Sequence, residues 1–134
     1  MNEITIRDLR ILLADDDDDV RGALSEFLRA EGFRILEADS GPAALEILHR
    51  EPGRVSFSIM DVDMPGMTGI EVLRVVRQQV GALPCIFISG DDSRRRQAEA
   101  MEAGAFSLLR KPVPLDLLRF SMQRLLEQHY GRFD

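Results

Sequence analysis

The stretch Leu9-Arg-Ile-Leu-Leu-Ala-Asp-Asp-Asp-Asp-Asp-Val20 joins a short apolar run directly to five consecutive aspartates. The nearly unbroken apolar run from Leu9 to Ala14 is typical of a strand buried on both faces. From Val20 to about Gly32, apolar residues recur at helical spacing and predict an amphipathic helix. We assign Asp17, Asp18 and Asp19 to the start of that helix, where carboxylates complement exposed amides and the helix dipole.

The same strand and helix unit repeats along the rest of the chain. We predict further strands over 33–37, 55–60, 84–88 and 105–109, and further helices over 42–49, 68–80, 92–103 and 114–128. The helix at 68–80 begins with a capping box, because Thr68 is followed three residues later by Glu71. Strands that alternate with helices in this way predict an α/β fold, in which a doubly wound, five-stranded parallel sheet has helices on both faces.

Length and charge limit the classes of function. The chain has 134 residues, a net charge of −6 and a single cysteine, Cys85. The length suits one domain, placed over 1–134 with its core at about 8–128. The lone cysteine excludes an intramolecular disulfide, and the acidic excess disfavours nucleic acid and anionic lipid as direct ligands. Since no apolar run is long enough for a membrane helix or a signal peptide, we expect a cytoplasmic protein.

Polar side chains follow four of the five predicted strands. They are Asp15 and Asp16 after the first, Asp61 after the third, Ser89 after the fourth and Lys111 after the fifth. Ligands of doubly wound sheets bind outside the carboxyl ends of the strands, so we expect these side chains at one site. Two carboxylates about 4 Å apart repel by roughly 4 kcal/mol, and three together by on the order of 10 kcal/mol. One lysine does not offset this, so we predict a hard divalent cation, with Mg²⁺ favoured over Ca²⁺.

An aspartate beside a divalent cation, a lysine and a hydroxyl suits phosphoryl transfer, in which the protein mainly positions groups and neutralises oxygens. Asp61 is the predicted nucleophile, because it follows the central strand and enters the turn Val62-Asp-Met-Pro-Gly66. The backbone amides of that turn would allow close approach of a phosphoryl group. Lys111 would neutralise one phosphoryl oxygen, and Ser89 would donate a hydrogen bond to another.

Ordered motifs along the chain resemble those of the receiver domains of bacterial response regulators, the chemotaxis-regulator-like proteins of two-component systems. The motifs are Ile11-Leu-Leu-Ala-Asp-Asp16, Met60-Asp-Val-Asp-Met-Pro-Gly-Met-Thr-Gly69, Ile88-Ser-Gly90, Ala103-Gly-Ala105 and Arg110-Lys-Pro112. The resemblance covers about residues 8–128. It implies a flavodoxin-like sheet in the strand order 2-1-3-4-5, with five helices.

The resemblance also implies the chemistry of the site. Asp61 would accept a phosphoryl group from a histidine kinase, and Ser89 and Lys111 would sense that group. The implied ligands of Mg²⁺ are Asp15, Asp16, Asp61 and the backbone carbonyl of Asp63. The peptide bond between Lys111 and Pro112 would be cis. The chain would then be a switch that catalyses only its own phosphorylation and dephosphorylation, and phosphorylation would alter its binding to a partner.

The chain departs from the family at one position of the fifth strand. The resemblance implies that an aromatic residue there swings inward when the serine hydroxyl moves toward the phosphoryl group, but Leu108 stands at that position. Leucine cannot reproduce this movement, so the usual readout is not expected. Phe106 has the same strand parity and is a candidate substitute, although packing in the core is the favoured interpretation.

Several charged and apolar side chains have two interpretations. Asp63 and Asp91 could face the attacking water and set the lifetime of the phosphoryl group, or could simply lie at the surface. The run Arg94-Arg95-Arg96 could be a docking patch, but a solvated helix face is favoured. On the last helix, Leu117 and Phe120 are apolar residues that do not belong to the predicted core face, and they hint at a dimer or partner surface. The residues assigned to the core there are Leu115, Leu118, Met122 and Leu125.

Two other functions are alternatives to the phosphorylated switch. A degenerate receiver could bind partners without phosphorylation, but the complete set of site residues argues against it. The Asp61-x-Asp63 pattern resembles a haloacid-dehalogenase phosphatase, but that family places its nucleophile after the first strand and needs a cap. Residues 129–134 are too few for an output domain, so we expect the output in a partner, unless the chain is a fragment of a longer regulator.

Overall fold

Five parallel strands form the centre of the molecule in a computed structural model that describes residues 5–131. The strands are β1 (Arg10–Ala14), β2 (Arg34–Ala38), β3 (Phe57–Asp61), β4 (Cys85–Ser89) and β5 (Ser107–Arg110). They pair in the order β2-β1-β3-β4-β5, so the predicted fold class and strand order are confirmed. The ends of the predicted domain, 1–4 and 132–134, lie outside the described residues.

The five predicted helices are present with shifted ends. They are α1 (Asp18–Ala30), α2 (Gly41–Arg50), α3 (Gly69–Gln79), α4 (Arg94–Glu102) and α5 (Leu115–Tyr130). The aspartates begin α1, because the Asp17 side chain accepts hydrogen bonds from the backbone amides of Asp19 and Val20. The capping box of Thr68 and Glu71 at α3 is confirmed. A short 3-10 turn over Ile6–Asp8 was not predicted.

Two apolar layers pack against the two faces of the sheet. In β1, Leu12 and Ala14 belong to the layer with α2 and α3, whereas Ile11 and Leu13 belong to the layer with α1 and α5. This alternation explains why the strand is apolar at consecutive positions. Cys85 is fully buried in one of these layers, and its burial raises the pKa of the thiol to about 12. Within residues 5–131, no helix is both long and apolar enough to span a membrane.

The core assignment of Leu115 on the last helix was wrong, and of the two interpretations of Phe106 the favoured one, packing in the core, is confirmed. Leu115 is exposed, because it opens the first turn of α5 beyond the sheet, and Leu126 is buried further along the helix. Phe106 precedes β5 and packs on the α1 and α5 side, near His129, whereas Leu108 packs on the α4 side. Strand parity does not apply to a residue outside the strand, so Phe106 cannot act in place of an aromatic residue at position 108.

The first residue of α3 lies directly against the end of β3. Gly69 is buried, and its amide donates to the carbonyl oxygen of Val62 at 3.0 Å. A Cβ atom built on Gly69 would lie 2.5 Å from the carbonyl oxygen of Asp61 and 3.1 Å from the ring of Phe87. Only glycine therefore allows this close approach of helix to strand.

Candidate functional site

Three aspartates meet at the carboxyl edge of the sheet. One carboxylate oxygen from each of Asp15, Asp16 and Asp61 lies within 4.8 Å of the others. Asp15 and Asp61 are buried and Asp16 is exposed. They come together because β1 and β3 are neighbouring parallel strands that end at the same edge. The structure thus places the predicted acidic residues in one cluster.

Backbone hydrogen bonds fix the two buried carboxylates. Asp15 accepts from the backbone amide of Asp17 through Oδ1 at 2.9 Å, and Asp61 accepts from that of Asp63 through Oδ1 at 2.9 Å. Each aspartate thereby closes its own turn, and its second oxygen, Oδ2, lies next to Lys111. Arg21 of α1 donates to the backbone carbonyl of Asp15 at 2.8 Å and holds the same loop.

Lys111 bridges the two buried carboxylates. Its ammonium Nζ lies 2.9 Å from Oδ2 of Asp15 and 3.0 Å from Oδ2 of Asp61. The peptide bond from Lys111 to Pro112 is cis, as expected. Every other basic side chain among the 17 lysines and arginines is an arginine, so Lys111 is the only lysine in the sequence. A compact ammonium on a slender stem suits the narrow space between two carboxylates.

The pKa values of Asp15 and Lys111 are both raised, for different reasons. Burial raises the pKa of Asp15, although hydrogen bonds from Asp17 and Lys111 partly oppose this rise. Burial alone would lower the pKa of Lys111, but its bonds to Asp15 and Asp61 more than offset that effect, and its pKa is raised. The resting cluster therefore holds its lysine charged, while the ionised form of Asp15 is disfavoured.

The hydroxyl of Ser89 donates its hydrogen bond to Asp63. Ser89 is buried at the end of β4, donates to Oδ2 of Asp63 at 2.7 Å and accepts from the backbone amide of Asp91 at 3.0 Å. Oδ1 of Asp63 accepts from Nη2 of Arg96 at 3.1 Å. Arg96 was interpreted as part of a solvated helix face and was missed as a site residue. In three consecutive arginines, the sequence alone gives little indication of which one turns toward the sheet edge.

The acidic cluster fits a hard cation. Oδ2 of Asp15 is buried against the ammonium of Lys111, at 2.9 Å. One ammonium does not neutralise three neighbouring carboxylates, and a divalent cation would supply the missing positive charge. All three side chains of the cluster offer oxygen, the donor that Mg²⁺ prefers. The cluster could therefore bind a metal ion.

Replacing Asp15 with asparagine is expected to raise the melting temperature of the metal-free protein by a few degrees, corresponding to about 1 kcal/mol. The folded-state pKa of Asp15 lies above the ordinary 3.8, so its ionised form costs stability above the folded-state pKa. The gain should be full at pH 7 and should shrink as the pH falls through that pKa toward 3.8.

Thermal unfolding with and without Mg²⁺ measures this effect. Added Mg²⁺ should raise the melting temperature of the native chain and leave that of Asp15→Asn nearly unchanged. The control is Asp19→Asn, because Asp19 belongs to the same run but is exposed. A lower melting temperature for Asp15→Asn than for the native chain at pH 7 would contradict the stated cost of the buried charge.

Comparison with known proteins agrees with this geometry. The model of the response regulator receiver domain family matches residues 11–123. The chemotaxis protein CheY of Pseudomonas aeruginosa is 34% identical over 126 residues, which cover 92% of this chain and 100% of CheY. The structure of CheY4 of Vibrio cholerae aligns with a TM-score of 0.82 and 30% identity, over 88% of this chain and 98% of that one. The chain belongs to the response regulator receiver domains.

Family membership establishes the general function. Receiver domains are signalling switches of two-component systems; phosphorylation on an aspartate and binding of Mg²⁺ are general features, and histidine kinases and downstream proteins are their partners. Relatives differ in length. A cyclic di-GMP phosphodiesterase of Thermotoga maritima is 31% identical over 88% of this chain, but the chain spans only 31% of that protein.

Proposed function

We propose that Asp61 is the residue of this receiver that accepts the phosphoryl group, that it does so from a histidine kinase or phosphotransfer protein, and that the reaction depends on Mg²⁺. The observation that carries the proposal is the position of Lys111, whose ammonium lies 3.0 Å from Oδ2 of Asp61 inside the acidic cluster. A carboxylate nucleophile needs a nearby cation to neutralise the oxygens of the incoming group.

The ligands proposed for Mg²⁺ are Asp15, Asp16, Asp61 and the backbone carbonyl of Asp63. The support for the three side chains is their mutual distance and the presence of only one ammonium, that of Lys111, against their negative charge. When bound, Mg²⁺ supplies positive charge against the oxygens of the transferred group.

The protein's own groups supply the nucleophile, orient it and neutralise the phosphoryl oxygens. The carboxylate of Asp61 forms a bond to phosphorus as the phosphorus–nitrogen bond of the donor phosphohistidine breaks, and the imidazole leaves. The amide of Asp63 holds Oδ1 of Asp61, which fixes the direction of the carboxylate. Lys111 neutralises one oxygen of the resulting 4-aspartylphosphate, and Ser89 donates to another. Attack of water on phosphorus later releases inorganic phosphate and restores Asp61.

The wider role follows from the family and completes the proposal. The phosphorylated form would change its affinity for a downstream protein or output domain in the cytoplasm, without direct binding of nucleic acid or membrane. The exposed Leu117 and Phe120 of α5 are candidates for a homodimer or partner surface. We infer no separate catalytic activity. The phosphatase alternative gains no support, because Asp61 is the last residue of β3, whereas that family places its nucleophile after the first strand.

Incubation with acetyl phosphate and Mg²⁺, followed by intact mass spectrometry, tests the acceptor. The native chain should gain the mass of one phosphoryl group, and the gain should disappear with a chelator or in Asp61→Asn. Asp39→Asn is the matched control, because Asp39 follows β2 at the same edge and is exposed outside the acidic cluster. A folded native chain that gains no mass would favour the phosphorylation-independent binding module, and a gain that persists in Asp61→Asn would assign another acceptor.

A further inference from the structure

Asp63 connects the end of β4 to α4 through two polar contacts. Its Oδ2 accepts from the hydroxyl of Ser89 at 2.7 Å, and its Oδ1 accepts from Nη2 of Arg96 at 3.1 Å. Ser89 lies at the carboxyl end of the strand paired with β3, where Ile88 is the register partner of Asp61. Arg96 lies in the first turn of α4. One carboxylate therefore joins the vicinity of the acceptor to a helix.

Arg96 differs from its neighbour in the arginine run. Its side chain is 22% exposed, and besides Asp63 it lies 3.8 Å from Asp91 and 3.7 Å from Glu99. The side chain of Arg95 is 92% exposed and pairs with Glu99 alone. Nε of Arg96 is buried without a hydrogen-bond partner. Arg96 is therefore held among three carboxylates, one of which, Asp63, also contacts Ser89.

A serine hydroxyl has a single proton to donate. In this structure Ser89 donates that proton to Asp63. A phosphoryl group on Asp61 would offer charged oxygens close to the same hydroxyl, and charged acceptors form the stronger hydrogen bonds. If Ser89 donates to the phosphoryl group, Asp63 loses that bond and keeps only its pair with Arg96. The added negative charge would also repel Asp63.

We propose that Arg96 is a positioning residue that couples phosphoryl binding at Asp61 to α4 through the side chain of Asp63. This inference rests on the proposed function. The coupling uses hydrogen bonds and charge, and it requires no aromatic residue at Leu108. When the hydrogen bond of the Ser89 hydroxyl changes its acceptor from Asp63 to the phosphoryl group, one side of Asp63 is released, so that Asp63 and Arg96 reorient together with the first turn of α4.

A double-mutant cycle on the binding of a phosphoryl mimic tests the coupling. Calorimetric titration of trifluoroberyllate in the presence of Mg²⁺ gives Kd for the native chain, Arg96→Gln, Asp63→Ala and the double variant. Arg96→Gln should change Kd by about threefold or more when Asp63 is present, and by much less in the Asp63→Ala background. Arg95→Gln is the matched control and should leave Kd unchanged in both backgrounds.

Hydrogen exchange at the first turn of α4 provides a readout that a purely structural role would not change. In the native chain and in Arg95→Gln, saturating trifluoroberyllate and Mg²⁺ should alter exchange of these amides. In Arg96→Gln the mimic should still saturate the protein, but the exchange there should not respond.

Three outcomes would count against the coupling. An equal effect of Arg96→Gln on Kd in both backgrounds would mean that Arg96 acts by its charge alone, and no effect in either would mean that it does not act. Each of these overturns the inference and leaves the proposed function intact. Failure of the native chain to bind trifluoroberyllate with Mg²⁺ would overturn both the proposed function and the inference.

Discussion

Lys111→Met is expected to lower the free energy of unfolding of the metal-free protein at pH 7 by about 2–4 kcal/mol and to abolish or greatly slow phosphorylation. The substitution keeps most of the length of the side chain but removes the cation between Asp15 and Asp61. Two buried carboxylates would then face each other unneutralised. The loss is limited because Asp15, whose pKa is already raised by burial, can take up a proton.

Urea unfolding across a range of pH measures this effect. The pKa of Lys111 is raised above its ordinary 10.5, so the stability that its charge contributes is fully present below pH 10.5. On the alkaline side it is lost as the pH rises through the folded-state pKa, and there the difference in free energy of unfolding between the native chain and the variant should close. Saturating Mg²⁺ should narrow the gap at pH 7, because it stabilises the variant's carboxylates.

Arg110→Met is the matched control for Lys111→Met. Arg110 precedes Lys111, is mostly exposed, and has only a 4.0 Å ion pair with Asp92. Its replacement should change the free energy of unfolding by less than about 1 kcal/mol. If the two variants lost equal free energy of unfolding, the contacts of Lys111 with Asp15 and Asp61 would contribute no more stability than an exposed ion pair.

Gly69→Ala is expected to reduce the free energy of unfolding by about 3 kcal/mol and to slow phosphorylation as well. The new methyl group would lie 2.5 Å from the carbonyl oxygen of Asp61, where backbone and not a flexible side chain must yield. Either α3 moves away from β3 or the main chain of Asp61 moves. In both cases the acceptor carboxylate leaves its present position relative to Lys111.

Chemical denaturation and the initial rate of phosphorylation by acetyl phosphate measure the two effects of Gly69→Ala. The control is Gly22→Ala within α1, where an added Cβ meets no atom within 4 Å. That variant should gain roughly 0.5–1 kcal/mol, because alanine has the higher helix propensity, and should phosphorylate at the native rate. A stable Gly69→Ala variant with native kinetics would mean that helix and strand separate there at little cost.

The sequence was sufficient for the elements of the fold because burial on two faces leaves a strong pattern. The apolar runs that became β1, β3 and β4 are buried at nearly every position, and the helices between them carry one apolar stripe each. Such local patterns do not determine the order of the strands in the sheet. The predicted order rested on the resemblance of the motifs to those of receiver domains. The start of α1 was predicted correctly, because Asp17 to Asp19 precede the first apolar residue, Val20, and carboxylates favour a helix N-terminus.

The acidic cluster was predictable for a topological reason, since parallel strands bring residues that follow them to one edge. The contacts around Ser89 were not. The acceptor of the hydrogen bond from the Ser89 hydroxyl depends on the side-chain rotamers of Asp63 and Arg96, and tertiary packing sets these rotamers. Phe106 was assigned to the wrong layer because alternation between faces holds only within the paired strand, and β5 begins one residue later.

The chain's sole lysine occupies the centre of the acidic cluster. Protein labelled with ¹⁵N only at lysine would therefore have one side-chain ammonium to observe by nuclear magnetic resonance. Its chemical shift would follow the state of the site directly, even in a mixture with an unlabelled kinase, and would require neither an added fluorophore nor a substitution.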